Sequence, residues 1–411
     1  MSTERITAAH YGLYRALLGA YLIVHFLMLL PYAGELFAAG GSVATASLSP
    51  FHELLPNPLW LLDEPWVAQA LLITGAVCGL AILVGLADRI GALLAALILA
   101  WLFQRNPLIA NPSLPLLGWL LVLHLFVPVG NFTSLGARWR GSAPDWRLPA
   151  HLYLAVWIVL SLSYSHSGWT KLASPSWVDG QTIRLVLENP LARDYWLREW
   201  LLATPPWVLQ ALTWGVLWIE LLFAPLALWS RTRPWVWLAM LLAQFGFLTL
   251  LNFADLTFPM LLVHLLCFDP AWLRRAEVSD PGVLLFDGDC AFCHASVRLA
   301  LHEDRHWRLR FAPLQGASAK RLLNGRVIPD DGDSIVLVDE HGQIARKSAA
   351  VIGVLMRLGG LWLLPAWLLR SLPRRMADAG YDLVGRWRYR LAGKVSGSCP
   401  WRPEYNGRVL P

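Results

Sequence analysis

Cysteine is scarce in this chain, with five residues in 411, at positions 78, 267, 290, 293 and 399. That number and scatter exclude the disulfide framework of a small secreted scaffold. Charge is sparse too: 15% of residues are charged, 56% are apolar, and the mean hydropathy is +0.47. Ordinary soluble domains carry about a quarter charged residues, so the expected solvent is a lipid bilayer. No basic stripe with interleaved aromatics is present, which excludes a nucleic-acid partner. No small-residue cleavage pattern follows the first apolar run, about Tyr11 to Leu30, so that run is expected to remain as a span.

What is present divides near residue 280. Residues 1–275 are expected to form a multi-pass, all-α membrane bundle and residues 281–411 a separate α/β domain. The second part holds 19 lysines and arginines against 12 aspartates and glutamates, whereas residues 1–280 are almost balanced. A basic excess beside a membrane suits anionic headgroups, which makes membrane lipid an expected partner. Eight apolar stretches are long enough to be helices of the bundle: about 9–30, 66–86, 90–103, 114–129, 150–167, 205–229, 234–251 and 253–268. Arginines 89, 138, 140, 147, 231, 233, 274 and 275 fall in alternate connections, while the connection after the first stretch holds Glu35, Glu53, Asp63 and Glu64 with no lysine or arginine. The positive-inside rule then places both termini in the cytoplasm and the chain in the cell membrane. Cys78 and Cys267 lie in apolar runs and read as small buried residues.

The most chemically loaded part of the bundle is the end of the fifth stretch, where Tyr164, His166 and Lys171 precede Trp177. A lysine at a span end ordinarily snorkels to the interface. Ionisable side chains at membrane depth are also functional candidates, and several converge here. The string Tyr164-Ser-His-Ser-Gly168-Trp-Thr-Lys171-Leu172, followed by Trp177-Val-Asp-Gly180, resembles the vitamin K-dependent gamma-carboxylase-like (HTTM) transmembrane family. The resemblance implies a helical bundle with a site for a quinone, in which Lys171 occupies the position of the base and Tyr164, His166 and Trp177 are candidate binding residues. Carboxylases of that family also carry a large lumenal domain for their glutamate substrate, and nothing here supplies one. Glutamate carboxylation is therefore not expected.

In the second part, Val283-Leu-Leu-Phe286 has strand length, Asp287-Gly288-Asp289 is a turn sequence, and an apolar-periodic stretch runs from Phe292 to Leu301. Cys290 and Cys293 thus sit at a strand-to-helix junction, where the helix N-terminus stabilises a thiolate. Cys290, expected to be the more exposed, is the candidate nucleophile, and Cys293 the resolving thiol. A carboxylate beside a thiolate opposes the helix dipole. Asp287 and Asp289 can alternatively accept the proton of the resolving thiol, or serve only the turn. Half a zinc site is the competing reading of a lone C-x-x-C, but His294, His302, His306 and Cys399 offer no second paired motif, so no metal is expected. Ser334 to Asp339 and Gln343 to Arg346 read as a hairpin around His341-Gly342.

Phe286-Asp287-Gly288-Asp289-Cys290-x-x-Cys293, with Val297-Arg298, Arg310 to Gln315, Asp333 to Val338 and Tyr381 to Arg390, is similar to the DCC thiol-disulfide oxidoreductase family. The resemblance implies a thioredoxin-like fold and disulfide exchange, with a disulfide-containing protein or small molecule as substrate and Arg390 as a further candidate at the site; Cys399, in the loop sequence Ser-Gly-Ser-Cys-Pro, is a candidate by its residue type. Cys399 is equally consistent with a third redox thiol and a bystander. In contrast to thioredoxin, no proline stands immediately before the Ser334 strand. Gly360 to Ala379, apolar with trailing Arg370, Arg374 and Arg375, suits an interfacial position. The expected activity is a membrane-bound thiol-disulfide oxidoreductase of the protein-disulfide reductase type. Two alternatives stand beside it: a quinone- or lipid-binding redox protein that uses the dithiol as electron donor or sensor, and a non-enzymatic membrane scaffold for peptide export or immunity.

Overall fold

The computed structural model describes residues 6–43, 45–51, 54–109, 111–143, 146–273, 281–304, 306–323, 335–393, 405 and 407–411. Contacts divide the chain into two compact units, Met1–Phe268 and Asp269–Pro411.

Among the described residues the first unit is mainly helical, with isolated bridges at Thr7–Arg147 and Ala192–Leu251. α1 (Ala8–Leu29) begins where the Thr7 hydroxyl accepts the His10 N–H at 3.1 Å, a cap contributing about 1 kcal/mol. α2 (Pro65–Val84) starts on a proline, whose missing N–H has no helical partner at that position anyway, and ends on Gly85 at φ 71°. α3 (Asp88–Arg105), α4 (Leu114–His124), α5 (Ala150–Lys171), α6 (Pro206–Leu221), α7 (Phe223–Leu228), α8 (Arg233–Leu250) and α9 (Ala254–Cys267) follow. Every apolar stretch marked in the sequence is therefore helical, but the count exceeds eight. The stretch at 205–229 breaks at Leu222 because Pro225 cannot donate to the carbonyl of Leu221. Short helices such as Ala33–Phe37, Pro175–Val178 and Trp196–Leu202 also fill the connections. Among the described residues, three helical segments are by themselves long and apolar enough to cross a bilayer: Ala8–Phe37, Pro65–Val84 and Arg233–Leu250.

Small residues let these helices approach closely, as membrane helices require when lipid supplies no hydrophobic driving force between them. A Cβ at Gly19 of α1 would lie 2.3 Å from the Leu83 nitrogen of α2, and one at Gly79 would lie 2.9 Å from the Ile23 nitrogen. In the same way, a Cβ at Gly168 of α5 would lie 2.3 Å from the Leu221 nitrogen at the end of α6. That contact sets the position of the residues one turn further along α5.

The second unit is a mixed four-stranded sheet with helices on its faces. Its elements are β1 (Gly282–Phe286), α10 (Ala291–Glu303), β2 (Leu309–Pro313), α11 (Ala317–Leu323), β3 (Val336–Val338), β4 (Ile344–Arg346), α12 (Lys347–Leu358), α13 (Leu363–Ser371) and α14 (Arg374–Ala392). The strand order is β2-β1-β3-β4, with β1 parallel to β2 and β3 antiparallel to both of its neighbours, the thioredoxin-like arrangement. β1 lies inside the sheet, which is why its sequence is an unbroken apolar run rather than an alternating one. The expected hairpin is present: Gly342 turns at φ 72°, and Asp339 Oδ1 accepts the N–H groups of His341 and Gln343 at 2.9 and 2.7 Å. Ser334 lies outside the described residues. One apolar cluster, containing Leu284, Phe286, Val297 and both cysteines, fills the α10 side of the sheet. A second cluster, around Leu285, Ala312, Ala319 and Val336, fills the other side.

Candidate functional site

β1 delivers the chain to the turn, and Cys290 becomes the N-cap of α10. Its sulfur accepts the Cys293 N–H at 3.2 Å, and the two sulfurs are 2.7 Å apart. Folding back over the helix end buries Cys290 completely, whereas Cys293 is 6% exposed. This corrects the expected order of exposure: a side chain that caps a helix turns inward over its N-terminus. Cys293 instead lines a cavity of about 540 Å³. Burial pushes the Cys293 thiol up, and its hydrogen bond to Cys290 and the charge of Cys290 add to that, with Arg388 acting in the opposite direction.

Asp287 lies beneath the pair. One carboxylate oxygen accepts the Asp289 N–H at 3.0 Å and the Gln315 amide at 3.3 Å, and the other meets Arg388 at 3.2 Å. Asp287 and Arg388 are both buried, with side chains 6% and 4% exposed. Removing one member of such a pair strands a buried charge. Asp289 is exposed, and its backbone serves the turn. Asp287, Cys290 and Cys293 offer one oxygen and two sulfurs within 4.8 Å of one another, a set that could hold a soft divalent ion if further ligands joined it. Among the described residues, the basic side chain at the dithiol is Arg388. Arg390 is exposed, its guanidinium 5.5 Å from the Trp387 ring, and Cys399 lies outside the described residues. The signal for Arg388 was available: Tyr381, Val384 and Arg388 follow helical spacing along one face of α14 and line one cavity.

In the first unit, Lys171 forms an ion pair with Glu220, donates to the Ser167 hydroxyl at 2.8 Å, and lies 4.9 Å from the centre of the Trp177 ring. Glu220 is 4% exposed, and nothing local in the sequence marks it, since it lies 49 residues away within an apolar helix. The close approach at Gly168 brings it to Lys171. Tyr164, two turns earlier, is buried with its hydroxyl 2.8 Å from His264 Nε2 and accepting the Gln244 amide at 3.1 Å. His166 is exposed and does not join either group.

Comparisons with known proteins agree with this division. The HTTM domain family matches residues 5–272, and the DCC1-like thiol-disulfide oxidoreductase family matches residues 284–394. The uncharacterized protein YuxK of Bacillus subtilis is 34% identical over 130 residues, covering 31% of this chain and 93% of that protein. A DCC family protein of Arabidopsis thaliana, described as chloroplastic, is 35% identical over 119 residues, covering 28% of this chain and 67% of its own. No solved structure matches significantly.

The raised Cys293 thiol has a direct consequence, because only the thiolate is alkylated readily. With both thiols reduced, iodoacetamide should modify Cys293 slowly at pH 8 and faster only above the ordinary thiol range of about 8.5. Peptide mass spectrometry across pH reads this. Rapid Cys293 labelling at pH 7 would contradict the arrangement.

Proposed function

We propose that this chain, which belongs to the HTTM family and to the DCC family through its C-terminal thiol-disulfide oxidoreductase domain, is a membrane-bound reductase of disulfides working through Cys290 and Cys293. The observation that carries this reading is the Cys290 sulfur at the α10 N-terminus, accepting the Cys293 N–H with the second sulfur 2.7 Å away. Cys290, whose sulfur sits at the N-terminus of α10, attacks a substrate sulfur, and one substrate thiol leaves. Cys293 then attacks Cys290, releasing the second substrate thiol and closing the Cys290–Cys293 disulfide. Asp287, close to both sulfurs, takes the Cys293 proton at that step, with Asp289 as the exposed alternative. A water-soluble thiol restores the dithiol.

Cys290→Ser should abolish reduction of a small disulfide, whereas Cys293→Ser should accumulate a mixed disulfide on Cys290, both read by intact-mass analysis. An adduct on Cys293 in the Cys290→Ser protein would reverse the roles, and stoichiometric zinc on the purified chain would replace the redox reading with a metal site.

The arginine placement supports a multi-pass orientation in the cell membrane with both termini cytoplasmic, where the reducing environment keeps the pair as a dithiol. Protease added to intact cells should then leave a C-terminal epitope tag uncut. Cleavage of the tag would overturn the orientation.

The bundle has its own reading, favoured by the Lys171–Glu220 pair and the Trp177 ring above it: a site for a quinone, with Lys171 as base and Tyr164 and Trp177 on the binding face. Arginine retains the charge and can pair with Glu220, but it cannot practically give up a proton. Lys171→Arg should therefore fold and lose quinone-dependent redox activity, whereas Lys171→Met should lose that activity and also stability, because it strands the buried Glu220 carboxylate. Full activity in Lys171→Arg would leave the residue an interfacial anchor.

A further inference from the structure

The cavity that Cys293 lines is bordered by β1, α10, α12, α13 and α14 and opens to one side. At about 540 Å³ it falls within the range of pockets that hold small organic ligands. Its walls are aliphatic and aromatic apart from Cys293, Tyr381, Arg388 and two serines. Those serine hydroxyls are already directed elsewhere, to the Phe292 carbonyl and the Asp378 carboxylate. The Tyr381 hydroxyl accepts the Ile335 N–H at 2.9 Å, which leaves its own proton available to a ligand. Toward solvent, the lining residues Leu372, Met376 and Val384 are 38%, 61% and 51% exposed, so the opening is apolar as well.

Two glycines in α14 bear on why this space stays open. Gly380 and Gly385 both line the cavity, and a Cβ built on either meets nothing within 4 Å. Neither has positive φ. Neither admits a close neighbour, unlike Gly19 or Gly168. A glycine inside a helix weakens it relative to alanine, and an empty apolar cavity weakens the domain further. What the two missing side chains leave is volume beside a redox-active sulfur.

We propose that this cavity receives the hydrocarbon chain of a lipid-soluble disulfide and brings its sulfur–sulfur bond to Cys293, with the Cys290 sulfur 2.7 Å behind it. The inference rests on the thiol-disulfide reading and names its substrate class. Beyond Tyr381 and Arg388 a polar disulfide finds few partners in these walls, whereas each methylene placed against them leaves water. The dithiol breaks the substrate disulfide and releases two thiols, at least one of them alkyl. It becomes the Cys290–Cys293 disulfide, and a water-soluble thiol such as glutathione reduces it again.

The test uses the purified full-length chain in detergent. Prereduced protein is mixed with 2-hydroxyethyl disulfide and with dialkyl disulfides from dibutyl to dioctyl. Each rate is divided by that of a micelle-soluble alkyl thiol with the same disulfide in the same detergent, so that partition into micelles cancels. The ratio should rise by up to about fourfold per methylene until the cavity is filled. Gly380→Leu combined with Gly385→Leu, which occupies the cavity while strengthening the helix, should flatten that rise. A diazirine-bearing octyl disulfide should cross-link to residues of α12 and α14 in the unaltered chain and not in the double leucine variant. A ratio independent of chain length overturns the proposal, whether or not cross-linking occurs. Cross-linking without reduction of any disulfide overturns the thiol-disulfide reading itself, and the substrate proposal with it.

Discussion

A single sulfur serves two purposes in the C-terminal unit. Cys290 caps α10 by accepting the Cys293 N–H, and it is also half of the dithiol. Because the cap turns the sulfur inward, the pair is buried. Because the pair is buried, the carboxylate of Asp287 beside it needs a partner that is buried as well. That partner, Arg388, lies 101 residues away near the end of α14, so completing the charge pair requires α14 to pack across α10. The packing is incomplete along its length, and the gap between α10, α12, α13 and α14 is the apolar cavity. Cap, ion pair, helix docking and cavity thus follow one from another.

Much of this was legible in the sequence because it is local. β1 announces itself as a short apolar run, the Asp-Gly-Asp turn precedes a periodic stretch, and His341-Gly342 marks the hairpin. The C-x-x-C motif could be placed at a strand-to-helix junction from those elements alone. Properties that depend on distant partners were less accessible. Exposure at the dithiol was expected to favour Cys290, because sequence position does not say which way a capping side chain turns. Arg390 was expected at the site in place of Arg388, although two residues of helix rotate a side chain by about 200° and the face shared by Tyr381, Val384 and Arg388 points to the latter.

The bundle shows the same contrast. Helices at all eight apolar stretches follow from composition, while Glu220, alone in an apolar run, becomes interpretable only once Gly168 allows α5 to touch the end of α6. The glycine and the lysine of the 164–172 string then have one explanation: the first permits the approach and the second meets the carboxylate it delivers.

In the proposed reaction Cys290 and Cys293 exchange two electrons as a unit. The most direct measurement equilibrates the full-length protein in buffers of graded oxidised and reduced glutathione, quenches with acid, alkylates, and follows each cysteine by mass spectrometry. Both thiols should disappear together along one curve with the slope of a two-electron couple, with Cys78 and Cys267 unchanged. Separate curves for the two thiols, or protection of both by a retained metal ion, would contradict it.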